Sequence, residues 1–237
     1  MLRGMLIVTE LREVVGSAVV SAASRALDLA LPALCAGCGL EGPPLCDECR
    51  PDLDVRLWSD PGVALGLPAD LPAPLAQLEW CAPFTGVTRR ALHQLKYDGD
   101  RRLVAPLADS IARRWATAGA GGDVLVPVPA SPDRVRERGF DQAVLLAGAA
   151  ARRLGLRSEA VLERVRETAA QFDLDRSSRG TNVAGAFRVT RPDAIQGRWV
   201  VLVDDVVTTG ATLAACATAL LEGGATAVSA ITVARER

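Results

Sequence analysis

Histidine, lysine and tyrosine occur once each in this 237-residue chain, as His93, Lys96 and Tyr97. A single histidine excludes a multi-histidine metal centre. A Ser-His-Asp hydrolase would have to be built on His93, and the nucleophile-elbow pattern G-x-S-x-G is absent. Neither charge sign dominates. The formal net charge is −1, so the chain has no global signature of polyanion binding. No stretch reaches the roughly 18 to 20 uninterrupted apolar residues of a membrane span. The apolar patch Met5–Val8 is interrupted by Glu10, Arg12 and Glu13 too early for a signal peptide. A cytoplasmic protein is the expectation. Four of the six cysteines are paired as C-x-x-C, which in a reducing compartment points to metal more than to disulfides.

What is present is organised around Val200–Thr212, VVLVDDVVTTGAT. Val200, Val201, Leu202 and Val203 are apolar and mostly β-branched. That pattern predicts a strand buried on both faces, hence a central parallel strand. Asp204 and Asp205 follow at once. Thr208-Thr209-Gly210 then makes a short polar turn into a helix from Ala211 to about Glu222. Free N–H groups and hydroxyls from Thr208, Thr209, Gly210, Ala211 and Thr212 at a helix N-terminus would cradle a phosphate. The two carboxylates stand one step earlier, placed to accept from sugar hydroxyls or to help hold a hydrated Mg²⁺.

Residues 9–31 carry apolar positions at helical spacing and predict an amphipathic helix that packs on the body or on a partner. Cys35-x₂-Cys38 and Cys46-x₂-Cys49 follow, separated by seven residues rich in Gly and Pro. Two such knuckles can close four sulfurs into a tetrahedron, and structural Zn²⁺ is the reading; redox dithiols are the alternative. A module this small has almost no core, so metal would supply much of its folding energy. The division is an N-terminal helix and four-cysteine module over 1–60, a Pro- and Gly-rich linker or wrap over 61–85, and an α/β domain over 86–237. Leu78–Pro83 reads as a short strand, and Cys81 as core. Thr88–Tyr97 and Leu103–Trp115 read as helices. Arg89, Arg90, Lys96, Arg101 and Arg102 form a local positive excess. It is either a solvated face or a patch for phosphate or single-stranded nucleic acid. Asp123–Val128 reads as a core strand ending in the rigid Val126-Pro127-Val128-Pro129 turn, a place for a cis X-Pro bond. The loop Ser131–Arg138 carries Arg134, Arg136 and Arg138, either a second anion site suited to pyrophosphate or a surface loop whose arginines pair with Asp133 and Glu137. In the helix that follows, Phe140, Val144, Leu145, Ala147, Gly148, Ala151 and Leu154 mark one face. Val161–Val165 is a weak strand, Gln171–Arg179 a polar loop suited to folding over a charged ligand, and Ala225–Ala234 a last buried strand.

Val200–Thr212 resembles the phosphoribosyl-pyrophosphate (PRPP) motif of type I phosphoribosyltransferases. Together with the paired C-x-x-C, the PVP turn, Arg138-Gly139-Phe140-x-Gln142 and Gln171-x₂-Leu174-x₄-Arg179-x₂-Asn182, it makes the chain resemble the ComF family. The resemblance implies a twisted parallel sheet with flanking helices, preceded by a small zinc-binding module. It implies PRPP with Mg²⁺ as ligand: ribose on Asp204 and Asp205, 5′-phosphate on Thr208–Thr212, and pyrophosphate toward Pro127, Val128 and Pro129, with Arg138 stabilising the leaving group. It further implies transfer of the phosphoribosyl group to an acceptor of unassigned chemistry, and a role in competence involving single-stranded DNA and a helicase-like partner. The alternative is a non-catalytic DNA-binding or adaptor protein on the same fold. Two positions depart from the family pattern. Asp141 stands where Asn is usual, and Gly180 where Arg is frequent. An extra carboxylate and a missing cation would weaken anion binding if they face the ligand.

Overall fold

The structure is a computed structural model that describes residues 33–62, 71–165 and 185–236. The helix expected over 9–31 and the loop Gln171–Arg179, with Gly180 and Asn182, lie outside the described residues. Two strands, β1 (Ala33–Leu34) and β2 (Glu41–Gly42), pair antiparallel within the cysteine module. The main sheet has five strands. They are β3 (Leu78–Pro83), β4 (Val124–Pro127), β5 (Arg157–Ser158), β8 (Trp199–Val207) and β9 (Ala227–Arg235), and two further short strands precede β8. The spatial order is β3-β9-β8-β4-β5, with every neighbouring pair parallel. The last strand of the chain therefore lies inside the sheet, and β3 is a member of the sheet at its edge. The weak strand is β6 (Leu162–Arg164), which pairs antiparallel with β7 (Phe187–Val189) as a separate ribbon.

Strand alternation explains how the sheet is covered. Leu125, Val201, Val203, Ile231 and Val233 face one layer, built from α1 (Gly86–His93), α2 (Val104–Ala118) and α4 (Gln142–Leu154). Val124, Val126, Val200, Leu202, Val228 and Ala230 face the other, where α5 (Ala211–Glu222) contributes Leu213, Cys216, Ala217 and Leu220. Val200 to Val203 have no exposed surface at all. Each such side chain contributes roughly 1.5–3 kcal/mol when buried, so this strand anchors both layers. The buried face of α4 is Ala143, Leu146, Ala147 and Ala150, rotated from the predicted one; Val144 is exposed. Small residues win that face because α4 packs closely on α2 and β4. The cis X-Pro bond is at Ala73–Pro74, and the PVP turn is trans. Among the described residues no helix is long and apolar enough to cross a membrane.

The cysteine module is not a separate bead. Cys35, Ala36, Leu45 and Leu53 belong to the same apolar cluster as Val87, Leu92 and Leu95.

Candidate functional site

Hydrogen bonding carries β8 through the acidic pair as far as Val207, with Asp204 opposite Thr232. Successive residues of a strand point to opposite faces. Asp205 lies on the α1 side, buried, with its Oδ2 2.8 Å from Lys96 Nζ. Asp204 lies on the α5 side and keeps some surface open to the cavity. Its Oδ1 accepts from Asp205 N at 2.8 Å. Burial pushes the Asp204 carboxyl well above the usual carboxylate range, and the Asp205 charge adds to the push. A carboxyl whose folded pKa is raised loses stability as pH climbs from the ordinary carboxylate range toward that raised value. Asp204→Asn should therefore raise the thermal midpoint of the ligand-free protein at neutral pH. The gain should shrink to nothing at acid pH, where the wild-type carboxyl is protonated as well. A midpoint that falls at neutral pH would contradict this origin of the shift.

The turn after β8 approaches its surroundings closely. Gly210 has φ of 80°, and a Cβ there would lie 2.6 Å from Pro72 Cγ, so both conformation and contact call for glycine. Gly210 also caps α5 and brings no side chain to that helix end, where Thr209 Oγ1 accepts from Ala211 N at 3.4 Å. The first N–H groups of a helix have no intrahelical partner. Here they open toward a small hollow of about 50 Å³ lined by Asp204, Val206 and the whole predicted cradle from Thr208 to Thr212.

Beside it lies a cavity of about 790 Å³ across the carboxyl ends of β3, β4, β8 and β9. Val128 and Pro129 line it, and Pro127 is the buried last residue of β4. Val128 N donates to Val203 O at 3.0 Å, which ties the PVP turn to the central strand. Asp141 holds the far side of that turn. Its Oδ2 accepts from Ala130 N at 2.9 Å, and its Oδ1 from Ala143 N at 2.9 Å, capping α4. Asn carries one oxygen and one NH2 group, so with the oxygen on either donor its amide nitrogen would face the other N–H. The extra carboxylate is thus engaged by backbone N–H groups. Arg138, at the end of α3 (Pro132–Arg138), stands behind the cavity wall. Its Nη1 donates to Gln142 Oε1 at 3.0 Å, and its guanidinium lies 5.4 Å from the Tyr97 ring centroid. Gln142 itself lines the cavity, as does Arg134, one turn earlier on α3. Arg136 of the same helix pairs with Asp133.

The local positive excess is divided up. Arg90 donates to Ala36 O and Gly37 O inside the first cysteine knuckle. Arg102 pairs with Asp100, Arg101 lies over the Phe140 ring, and Lys96 turns into the cavity. Lys96, Gln142, Arg164 and Glu236 are cavity residues that the sequence reading did not place there. Gln142 entered only as part of the Arg138–Gln142 motif and Lys96 as one member of the basic stretch; nothing in the sequence marked Arg164 or Glu236. His93 is exposed, with its ring 4.4 Å from that of Tyr97.

Cys35, Cys38, Cys46 and Cys49 come together, all four sulfurs within 4.8 Å of one another. Cys35 Sγ is 3.5 Å and Cys38 Sγ 3.7 Å from Cys46 Sγ. A tetrahedron of thiolates about 2.3 Å from zinc has edges of about 3.8 Å, so the donor set fits Zn²⁺. Gly37 N and Cys46 N each donate to Cys35 Sγ at 3.3 Å. Burial raises the Cys35 thiol, but these backbone donors outweigh it and bring it down to about 6. Cys46 is pushed up to about 12, chiefly by burial and then by its neighbours. Four thiolates this close cannot all ionise without a cation. A Cβ on Gly37 would lie 2.6 Å from Cys49 Cβ, so only glycine lets the knuckles close. Cys81, by contrast, is raised by burial and is an inert core thiol.

A parallel sheet with an acidic pair and a Thr-Gly turn into a helix at its carboxyl ends is the architecture of a phosphoribosyltransferase-type domain. The family description "Phosphoribosyl transferase domain" matches residues 141–237. The DNA utilization protein YhgH of Salmonella typhi is 35% identical over 174 residues, covering 71% of this chain and 76% of that one. The competence protein ComFC of Streptococcus pneumoniae is 31% identical over 173 residues, covering 66% and 72%. The chain belongs to the ComF family. Among solved structures, the glutamine PRPP amidotransferase from B. subtilis is 25% identical with a TM-score of 0.36; the match covers 53% of this chain and a quarter (25%) of that enzyme.

Proposed function

We propose that this protein binds PRPP with Mg²⁺ at the carboxyl ends of β4 and β8 and transfers the phosphoribosyl group to an acceptor, releasing pyrophosphate, in the service of DNA uptake. The observation that carries this reading is the start of α5 beside Asp204, lined by the hydroxyls and N–H groups of the Thr-Gly turn and opening to a cavity large enough for a sugar with three phosphates. The 5′-phosphate would take the N–H groups and hydroxyls of Thr208–Thr212. The ribose hydroxyls would donate to Asp204. As the bond from C1 to pyrophosphate oxygen breaks, that oxygen keeps the electron pair and C1 gains positive charge. Asp204 stands where it can stabilise that charge. The acceptor's lone pair then forms the new bond to C1. Mg²⁺, when bound with the ligand, neutralises phosphate charge. Arg138 would act through Gln142, and the PVP turn would present its backbone to the pyrophosphate. The four cysteines would hold structural zinc. The names of the relatives, DNA utilization protein and competence protein, support the role in DNA uptake. Single-stranded DNA and a helicase-like protein would be its partners.

Titration calorimetry with PRPP tests this. Wild-type protein should bind in a Mg²⁺-dependent manner, and Asp204→Asn/Asp205→Asn should abolish the heat. Absence of binding by folded, metal-loaded wild type would remove the reading and leave the non-catalytic DNA-binding alternative.

A further inference from the structure

Lys96 is the one lysine of the chain, and nothing in the function just proposed uses it. It sits in a single π-helical turn, Gln94–Asp98, that continues α1. Such one-turn widenings are frequent at functional positions. Here the turn buries Leu95 completely in the core and sends Lys96 to the cavity. Its side chain is 16% exposed and ends 2.8 Å from Asp205 Oδ2, on a carboxylate that is 8% exposed. An ammonium has three donors, and among the described residues Asp205 is its only partner. The two acids of the pair are unequal in their surroundings. Asp204 shares the small hollow with the phosphate cradle, and Asp205 does not.

We propose that Asp205 is a positioning residue whose work is to hold Lys96, and that Lys96 binds the pyrophosphate portion of the ligand. Resting on the reading of the cavity as a PRPP site, this assigns separate tasks to adjacent carboxylates. Asp204 meets the sugar, while Asp205 fixes a cation on the opposite face of the strand. The charge count of the cavity favours it. Four carboxylates, Asp133, Asp204, Asp205 and Glu236, line the space that a polyphosphate must enter, against three cations, Lys96, Arg134 and Arg164. A cation held among them by Asp205 as an ion pair lowers that repulsion and can turn its N–H donors to phosphate oxygens. Asp133 pairs with Arg136 on the exposed rim.

Because the chain has one lysine, the test can be read on the unmodified protein. Full-length protein is treated with an amine-acylating reagent, and the rate at Lys96 is followed by peptide mass spectrometry with Mg²⁺ and PRPP, inorganic pyrophosphate or ribose 5-phosphate. PRPP and pyrophosphate should slow acylation of Lys96, and ribose 5-phosphate should not. In calorimetry, Lys96→Met should weaken PRPP binding about tenfold or more, the loss of one charge-assisted hydrogen bond. Asp205→Asn should do the same, and the double variant should be no worse than the poorer single one, as expected for groups acting together. If wild type binds PRPP but Lys96 acylates at the same rate with and without it, the inference is overturned and the PRPP reading stands. If PRPP does not bind but pyrophosphate protects Lys96, the PRPP reading falls and the anion site stands. Protection by neither removes both.

Discussion

Replacing Arg114 by Met should destabilise the protein by about 3–5 kcal/mol, the cost of removing one partner of a buried ion pair. Arg114 and Glu79 are both buried almost without surface, at 1% and 0%. Arg114 Nη2 is 2.6 Å from Glu79 Oε2. The other guanidinium nitrogen, Nη1, donates to Arg56 O at 2.6 Å and to Ser59 O at 2.7 Å. One side chain of α2 thus clamps the edge strand β3 and the segment that follows the cysteine module. Arg56, 3.6 Å from Glu79 and over the Trp80 ring, completes the cluster. Urea denaturation reads the loss directly. Arg114→Met/Glu79→Leu should recover only part of it, because both charges of the pair are gone but Arg56 loses its carboxylate. A loss below about 1 kcal/mol would place the pair in the range of solvent-exposed ion pairs and contradict the burial. The same clamp means that deleting residues 1–60 should take the phosphoribosyltransferase-type domain down with it, because that deletion strips Arg56, Leu57 and the carbonyls that Arg114 satisfies.

Cys38→Ser should cost the protein about one equivalent of zinc and the amide-exchange protection of residues 33–49. Cys38 is the exposed member of the set, so the change disturbs packing least while removing one of four ligands. Metal binding supplies on the order of 10–16 kcal/mol in isolated finger peptides. In this chain the loss is limited by the apolar contacts of Cys35, Leu45 and Leu53 with the body of the protein. Unravelling should spread from the knuckle to α1, since Arg90 is anchored on Ala36 O and Gly37 O. A chelator-treated wild type should show the same pattern. Unchanged protection in metal-free, fully reduced protein would show that packing alone holds the module.

Much of the site is legible because its parts are contiguous. A doubly buried strand, two acids and a threonine-glycine turn occupy thirteen successive residues, and their order along the chain is their order in space. The cysteines are legible for the same reason, since each C-x-x-C makes a local knuckle. The helical face of α4 was displaced because close helix packing selects small residues, and alanine carries little signal in a hydrophobic pattern. Asp141 read as a misplaced charge near an anion. Its two backbone donors, Ala130 N and Ala143 N, become visible only when the PVP turn and the start of α4 are together.

Neighbouring residues were thus sufficient for the strand-acid-turn-helix unit, for the four-sulfur cluster and for the α/β class, because short-range sterics and the period of apolar residues act along the chain. The partition of the acidic pair needed long-range contacts. Lys96 reaches Asp205 across 109 positions because β9 and β3 complete the sheet beside β8 and α1 packs over that side. A single charge in a basic stretch carries no record of the carboxylate it will meet. Burial made that meeting specific, since an ammonium taken out of water finds its lowest free energy beside an equally buried carboxylate.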